Sequence, residues 1–175
     1  MNPVLKVENL HQHYGGVHAL KGVGFELFAG ECVALIGPNG AGKSTCFACL
    51  AGQQNAKQGH VMWRDKSLLN LPAESRREMG IARTFQVAQV FEALTVIQNL
   101  QLALKASKGV SIWESLDRCE LDAANQWLYQ MGLEDLGVDA LHAPAMNLSY
   151  GAKKRLELAL AMAGLKEPQT GLLFL

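Results

Sequence analysis

The sequence predicts an α/β fold, with a mixed-β N-terminal part around a glycine-rich loop and a helical lobe after it. Three observations predict it. Residues 37–44 read Gly37-Pro38-Asn39-Gly40-Ala41-Gly42-Lys43-Ser44, the pattern G-x-x-x-x-G-K-[ST]. The loop lies between a short apolar run at 32–36 and a stretch at 44–50 that stops at Ala51-Gly52, so strand, loop and helix follow in the order the pattern requires. Near residue 72 the apolar period also changes from two to about 3.6.

The elements follow in order. Residues 4–10 read as a strand. Residues 22–28 alternate, with Val23, Phe25 and Leu27 on one face, as a half-buried strand does. The run Cys32-Val33-Ala34-Leu35-Ile36 suits a buried parallel strand. Residues 44–50 form the helix after the loop, and 60–63 another strand with a turn at Asp65-Lys66. Residues 72–78 suit a short helix, with Pro72 in its first turn and an early acidic residue. Residues 96–106 are expected to be helical. Ala124, Trp127, Leu128 and Met131 fall at i, i+3, i+4 and i+7, and Gly132 can close that helix. Trp127 and Tyr129 are expected to pack rather than to form a ligand platform. Leu156, Ala159, Leu160 and Ala163 repeat the pattern and Gly164 follows. Pro168-Gln169-Thr170-Gly171 are turn residues, and Leu172-Leu173-Phe174-Leu175 opens a buried strand. The expected domains are therefore 1–86 with 166–175 as the α/β core, and 87–165 as the helical lobe.

The loop pattern has a mechanism. Its glycines let successive backbone N–H groups turn inward around phosphate oxygens, and the helix that follows adds its positive end. Lys43 supplies a mobile point charge for the outer phosphates, and the Ser44 hydroxyl is placed to ligate Mg²⁺. The dinucleotide fingerprint does not fit, because the glycine order here is G-x-x-G-x-G.

Composition narrows the field. Of 175 residues 49% are hydrophobic, enough for a sizeable core and too many for a disordered tail. Sixteen Lys and Arg balance sixteen Asp and Glu, which argues against broad binding to nucleic acid or anionic lipid. No apolar stretch approaches the roughly 20 residues a bilayer span needs, and Met1-Asn2-Pro3-Val4-Leu5-Lys6 does not read as a signal peptide. Cys46-Phe47-Ala48-Cys49 falls inside the helix after the loop. With no second pair or histidines at usable spacing, its thiols and those of Cys32 and Cys119 read as small buried thiols in a reducing cytosol. His11-Gln12-His13 reads as an exposed turn rather than a metal fragment.

Four landmarks in fixed order carry a resemblance. Tyr14-Gly15-Gly16 lies upstream of the loop. The loop itself reads GPNGAGKST from Gly37 to Thr45. Arg83-Thr84-Phe85-Gln86 comes next, and Leu148-Ser149-Tyr150-Gly151-Ala152 last. Together they resemble the nucleotide-binding subunit of ATP-binding-cassette transporters over essentially the whole chain. The phrasing around 80–86, 94–100 and 147–157 resembles the importers of branched-chain amino acids and urea. Taken singly, Tyr14 reads as packing and Ser149 as an ordinary helix cap. The resemblance implies more: Tyr14 stacking on adenine, and Gly37, Pro38, Asn39, Gly40, Ala41, Gly42, Lys43, Ser44 and Thr45 holding ATP. It also implies Ser44 and Gln86 on Mg²⁺, Lys43 and Gln86 in catalysis, and Ser149 and Gly151 facing the γ-phosphate on a second ATPase subunit. The usual signature is LSGGQ; here Tyr150 replaces a glycine and Ala152 the glutamine, which removes one polar contact.

The resemblance further implies a P-loop NTPase core, ATP and Mg²⁺ as cofactors, and transmembrane permease subunits as partners, gripped near 86–106. Nucleic acid is not expected as a partner, and membrane contact is expected only through the permease, at the cytoplasmic face. In the family an aspartate and a glutamate follow the strand that starts at Leu172. The C-terminal part of the core is therefore expected to be missing, with a gap in the sheet and no useful turnover by these residues alone. The alternative is a truncated regulator that binds nucleotide or pairs with a complete subunit. A small kinase, or a DNA-repair member of the same superfamily, fits the signature and the neutral charge less well.

Overall fold

The computed structural model describes residues 2–109, 116, 120–167 and 170–175, in two compact units, Met1–Arg76 and Arg77–Leu175.

The first unit is built on an antiparallel sheet of β1 (Leu5–Tyr14), β2 (Val17–Leu27), β3 (Gln58–Trp63) and β4 (Lys66–Ser67), in the order β2-β1-β3-β4. Leu5 and Val7 point into the core. At Glu8-Asn9 the register slips and Asn9 takes φ 50, after which Leu10 and Gln12 are buried. The extra residue of this bulge resets the alternation, and without it Leu10 would face outward. Gly59 crosses the bulge so closely that a Cβ there would lie 2.6 Å from the Asn9 carbonyl oxygen. The β1–β2 hairpin closes at Tyr14↔Val17 over Gly15-Gly16, where Gly15 supplies the positive φ of 55 that a two-residue loop requires. β2 alternates as expected and starts earlier, at Val17.

Residues 32–36 differ from expectation. They form no ladder with any described strand, and Val33, Leu35 and Ile36 are exposed. A buried parallel strand exists only through neighbours on its edges and cover on its faces. Apolar composition supplies neither, so the run is chain without regular secondary structure.

Helix α1 (Lys43–Leu50) buries Cys46, Ala48, Cys49 and Leu50. Its C-terminal carbonyls are satisfied by a buried arginine on α2 (Ala73–Glu78). Arg76 Nη1 donates to the Cys49 and Leu50 carbonyls at 2.6 and 2.8 Å, and Nε donates to the Leu71 carbonyl at 2.9 Å.

In the second unit β5 (Ile81–Arg83) pairs in parallel with β6 (Leu172–Phe174), with Ile81 opposite Leu172 and Arg83 opposite Phe174. β6 was expected and β5 was not, because three residues are too few to show a period. The helices are α3 (Val96–Lys108), α4 (Leu121–Gln130), α5 (Val138–His142) and α6 (Tyr150–Ala163), with 3-10 turns at Glu134–Leu136 and Ala145–Asn147. α3 begins with a capping box, Thr95 and Gln98 each bonding the other's backbone N–H. Val96, Leu100, Leu128, Leu133, Leu156 and Ala159 form the core of this unit. Trp127 packs on that core as expected, whereas Tyr129 stands on the opposite face, 76% exposed. Residues 168 and 169 of the turn expected at 168–171, and Cys119, lie outside the described residues. Among the described residues no helix is long and apolar enough to cross a membrane.

Candidate functional site

The phosphate loop of the first unit lies exposed from Gly37 to Ala41 and runs into α1 at Gly42. Gly42 takes φ 87, and a Cβ there would sit 2.2 Å from the Ala19 carbonyl oxygen of β2. No other residue fits that position. Gly40 also has positive φ, 82, with nothing within 4 Å of its Cβ position, so backbone conformation rather than space favours glycine there. Ala41 N donates to the Pro38 carbonyl at 3.2 Å and closes the turn.

Two features suit this loop to a phosphate. No side chain caps the start of α1, so its first N–H groups point at the loop with the positive end of the helix behind them. Lys43 folds back over the loop, and its Nζ donates to the Gly37 carbonyl at 2.6 Å and the Pro38 carbonyl at 2.8 Å. An ammonium has three donors, so two carbonyls hold it over the cradle with one donor for an anion. Asn39 and Ser44 are exposed and Thr45 is half-buried. Among the described residues no three His, Cys, Asp or Glu side chains cluster to hold a metal. A Mg²⁺ ion at this loop would rest on the Ser44 hydroxyl, on phosphate oxygens and on water, which matches its preference for a largely hydrated shell.

Tyr14 ends β1, 45% exposed, and its hydroxyl donates to Gln54 Oε1, which holds the ring in the same unit as the loop.

The other two landmarks lie in the second unit. Gln86 is exposed. Ser149 caps α6, with its Oγ accepting from Ala152 N at 3.3 Å, and Gly151 has nothing within 4 Å of its Cβ position. Ala152 is buried, so the position that departs from the usual glutamine is a packing position here. The Tyr150 hydroxyl donates to the Gln86 carbonyl at 3.1 Å, which joins the glutamine segment to the start of α6.

Sequence reasoning missed Lys154 and Glu157, which reach the same segment. The signal was present: Tyr150, Lys154 and Glu157 are spaced by four and three, one stripe of a helix. It also missed Asn99 and Arg76, whose polar side chains are buried under backbone carbonyls. Burial pushes the Cys46 thiol up to about 11, with Cys49 beside it adding to the rise. The C-x-x-C pair is thus an inert part of the α1 core.

A loop built for phosphate, followed by a glutamine and a capped glycine helix start, defines an ATP-binding cassette. The family model described as ABC transporter matches residues 20–172, and the chain belongs to that family. It is 38% identical over 185 aligned residues to the high-affinity branched-chain amino acid transport ATP-binding protein LivG of Escherichia coli (strain K12), covering 97% of this chain and 71% of the relative. It is 30% identical to the corresponding protein BraF of Pseudomonas aeruginosa over the same shares. Among solved structures, a nucleotide-free ATP-binding cassette from an ABC transporter superposes with a TM-score of 0.77 at 27% identity, over 93% of this chain and 66% of that one. The ADP conformation of MJ1267 gives 0.78 at 26% identity, over 94% and 66%. The chain therefore spans just under two thirds of each of these two cassettes.

Proposed function

We propose that this chain forms the ATP-binding part of the motor subunit of an importer of branched-chain amino acids. The observation that carries the reading is the loop: an uncapped helix start, a glycine no side chain can replace, and an ammonium held over the turn. Backbone N–H groups of the loop and Lys43 bind the phosphates of ATP, Ser44 positions Mg²⁺, and Tyr14 lies against the adenine. Mg²⁺ supplies charge neutralisation at the β- and γ-phosphates when bound. Gln86 orients the attacking water, and Ser149 and Gly151 present the positive end of α6 to the γ-phosphate held by a second ATPase subunit. Residues 1–86 with 166–175 serve as the core and 87–165 as the signature lobe, which takes hold of the permease at the cytoplasmic face of the membrane. The solute class rests on the names of the relatives, since no residue of an ATPase touches the solute.

Equilibrium binding of Mg-ATP tests the site. The wild-type chain is expected to bind, and Lys43→Ala to lose at least about a hundredfold in affinity, ~2.7 kcal/mol. Equal affinity in the two would overturn the assignment. The solute class is tested by reconstituting the protein with its permease. Leucine, isoleucine or valine, with their binding component, should stimulate ATP use, and stimulation by urea alone would replace that class.

A further inference from the structure

Three side chains on one stripe of α6 reach a single five-residue segment, 85–89. Glu157 is 4% exposed. Its Oε1 accepts from Phe85 N at 3.0 Å and from Gln89 N at 3.2 Å, and its Oε2 receives Lys154 Nζ at 2.7 Å. Lys154 Nζ also donates to the Phe85 carbonyl, and the Tyr150 hydroxyl to the Gln86 carbonyl at 3.1 Å. Four backbone groups at and around Gln86 are thereby fixed to the helix that begins at Ser149, while the Gln86 side chain stays exposed. A buried carboxylate is costly unless fully partnered, and an apolar residue would pack this helix face more cheaply. Its neighbours on α6, Leu156 and Ala159, do pack that way.

We propose that Glu157 is a positioning residue for ATP hydrolysis: it locks the Gln86 segment to the signature helix so that Gln86 and the Ser149–Gly151 helix start are presented as one body. Tyr150, which stands where the usual signature has glycine, fixes the carbonyl of Gln86 itself. The inference rests on the proposed function, and it ties the glutamine's aim at the attacking water to the position of α6.

The test uses the intact protein in its assembled transporter and separates kcat from ATP affinity. Glu157→Ala is expected to lower kcat by about tenfold or more with the Kd for Mg-ATP within about twofold. Glu157→Gln keeps an oxygen acceptor for both amides and is expected to recover kcat to within about threefold of wild type. Amide exchange at Phe85 and Gln89, which needs no nucleotide, should quicken by about tenfold or more in Glu157→Ala and remain slow in Glu157→Gln. Wild-type kcat in Glu157→Ala overturns the proposal. So does a parallel fall in kcat and affinity with protection lost along all of α6, which is the pattern of a purely structural residue. Should Glu157→Ala not fold, Tyr150→Phe decides: it is a change at an exposed site, expected to lower kcat by about threefold at unchanged affinity, and an unchanged kcat overturns the proposal. Failure of the parent reading looks different, because wild type itself would then bind no ATP while the exchange pattern persisted.

Discussion

The side chain of Asn99 brackets the peptide of Phe91: its Oδ1 accepts from Phe91 N at 2.9 Å while its Nδ2 donates to the Phe91 carbonyl at 3.0 Å. The same Nδ2 lies 3.3 Å from the Leu94 carbonyl and 2.9 Å from that of Thr95. Asn99 is fully buried on α3 and fastens the chain between the glutamine segment and the helix to the core of the second unit. Asn99→Leu keeps the volume and removes every side-chain partner, leaving the Phe91 amide unpaired while the Phe91, Leu94 and Thr95 carbonyls each keep one backbone donor. A loss of about 1–3 kcal/mol is expected, read as a lower urea midpoint at unchanged m-value. A midpoint within error of wild type would show that water takes over those groups.

Gly42 and Lys43 are adjacent, yet their substitutions should behave differently. Gly42→Ala forces a Cβ to 2.2 Å from the Ala19 carbonyl oxygen at a φ of 87, so strand or helix must shift. It is expected to cost about 2 kcal/mol or more and to abolish nucleotide binding with it. Lys43→Ala removes only the contacts of a side chain to two carbonyls of its own exposed loop. Its thermal midpoint should stay within a few degrees of wild type while ATP binding is lost. Calorimetry with nucleotide titration on both variants separates a structural glycine from a binding lysine.

The parts of the fold legible in the sequence are those where one residue type does one job. Alternation at Val23, Phe25 and Leu27, helical spacing at Leu156, Ala159 and Ala163, and the stop after α4 at Gly132, with φ 59, all reappear in the structure. The loop was legible for the same reason, since Gly42 and Lys43 answer steric and electrostatic demands nothing else meets. Residues 32–36 show the limit: an apolar run records what a strand would like to bury, but pairing is decided by chain far away. Glu157 shows it again. Its neighbours in sequence belong to the core of α6, and its partners, Phe85 and Gln89, lie some seventy positions earlier.

Burial of the C-x-x-C pair makes a pH prediction with a definite sign. The Cys46 thiol is raised from the ordinary 9.0 to about 11, so the folded state keeps a proton that the unfolded chain releases. The contribution is fully present below about pH 9 and is lost as pH rises through about 11. Stability should therefore fall over that window, and fall less in Cys46→Ala. In the same way, alkylation near about pH 8 should label exposed Cys32 while Cys46 and Cys49 stay protected, as peptide mass spectrometry reads directly. Labelling of Cys46 at the rate of Cys32 would mean that α1 opens.

Arg76 is the last case, and it concerns how the helix bearing the phosphate loop is ended. Its guanidinium donates to three carbonyls, those of Leu71, Cys49 and Leu50, from a position only 2% exposed. Burial lowers its pKa, and the guanidinium remains charged at any physiological pH. Arg76→Met removes a charge that is costly to bury but takes the side-chain donor from the Leu50 and Leu71 carbonyls, while the Cys49 carbonyl keeps a backbone N–H, so the two effects oppose. The carbonyls should win, because three acceptors lose a charge-assisted donor at once, and a net loss of about 2–4 kcal/mol is expected. Arg76→Lys should recover only part of it, since one ammonium cannot match the fork that serves Cys49, Leu50 and Leu71 together. Chemical denaturation of the two variants checks the order, and a Met variant as stable as wild type would mean that desolvation of the guanidinium costs as much as its three hydrogen bonds return.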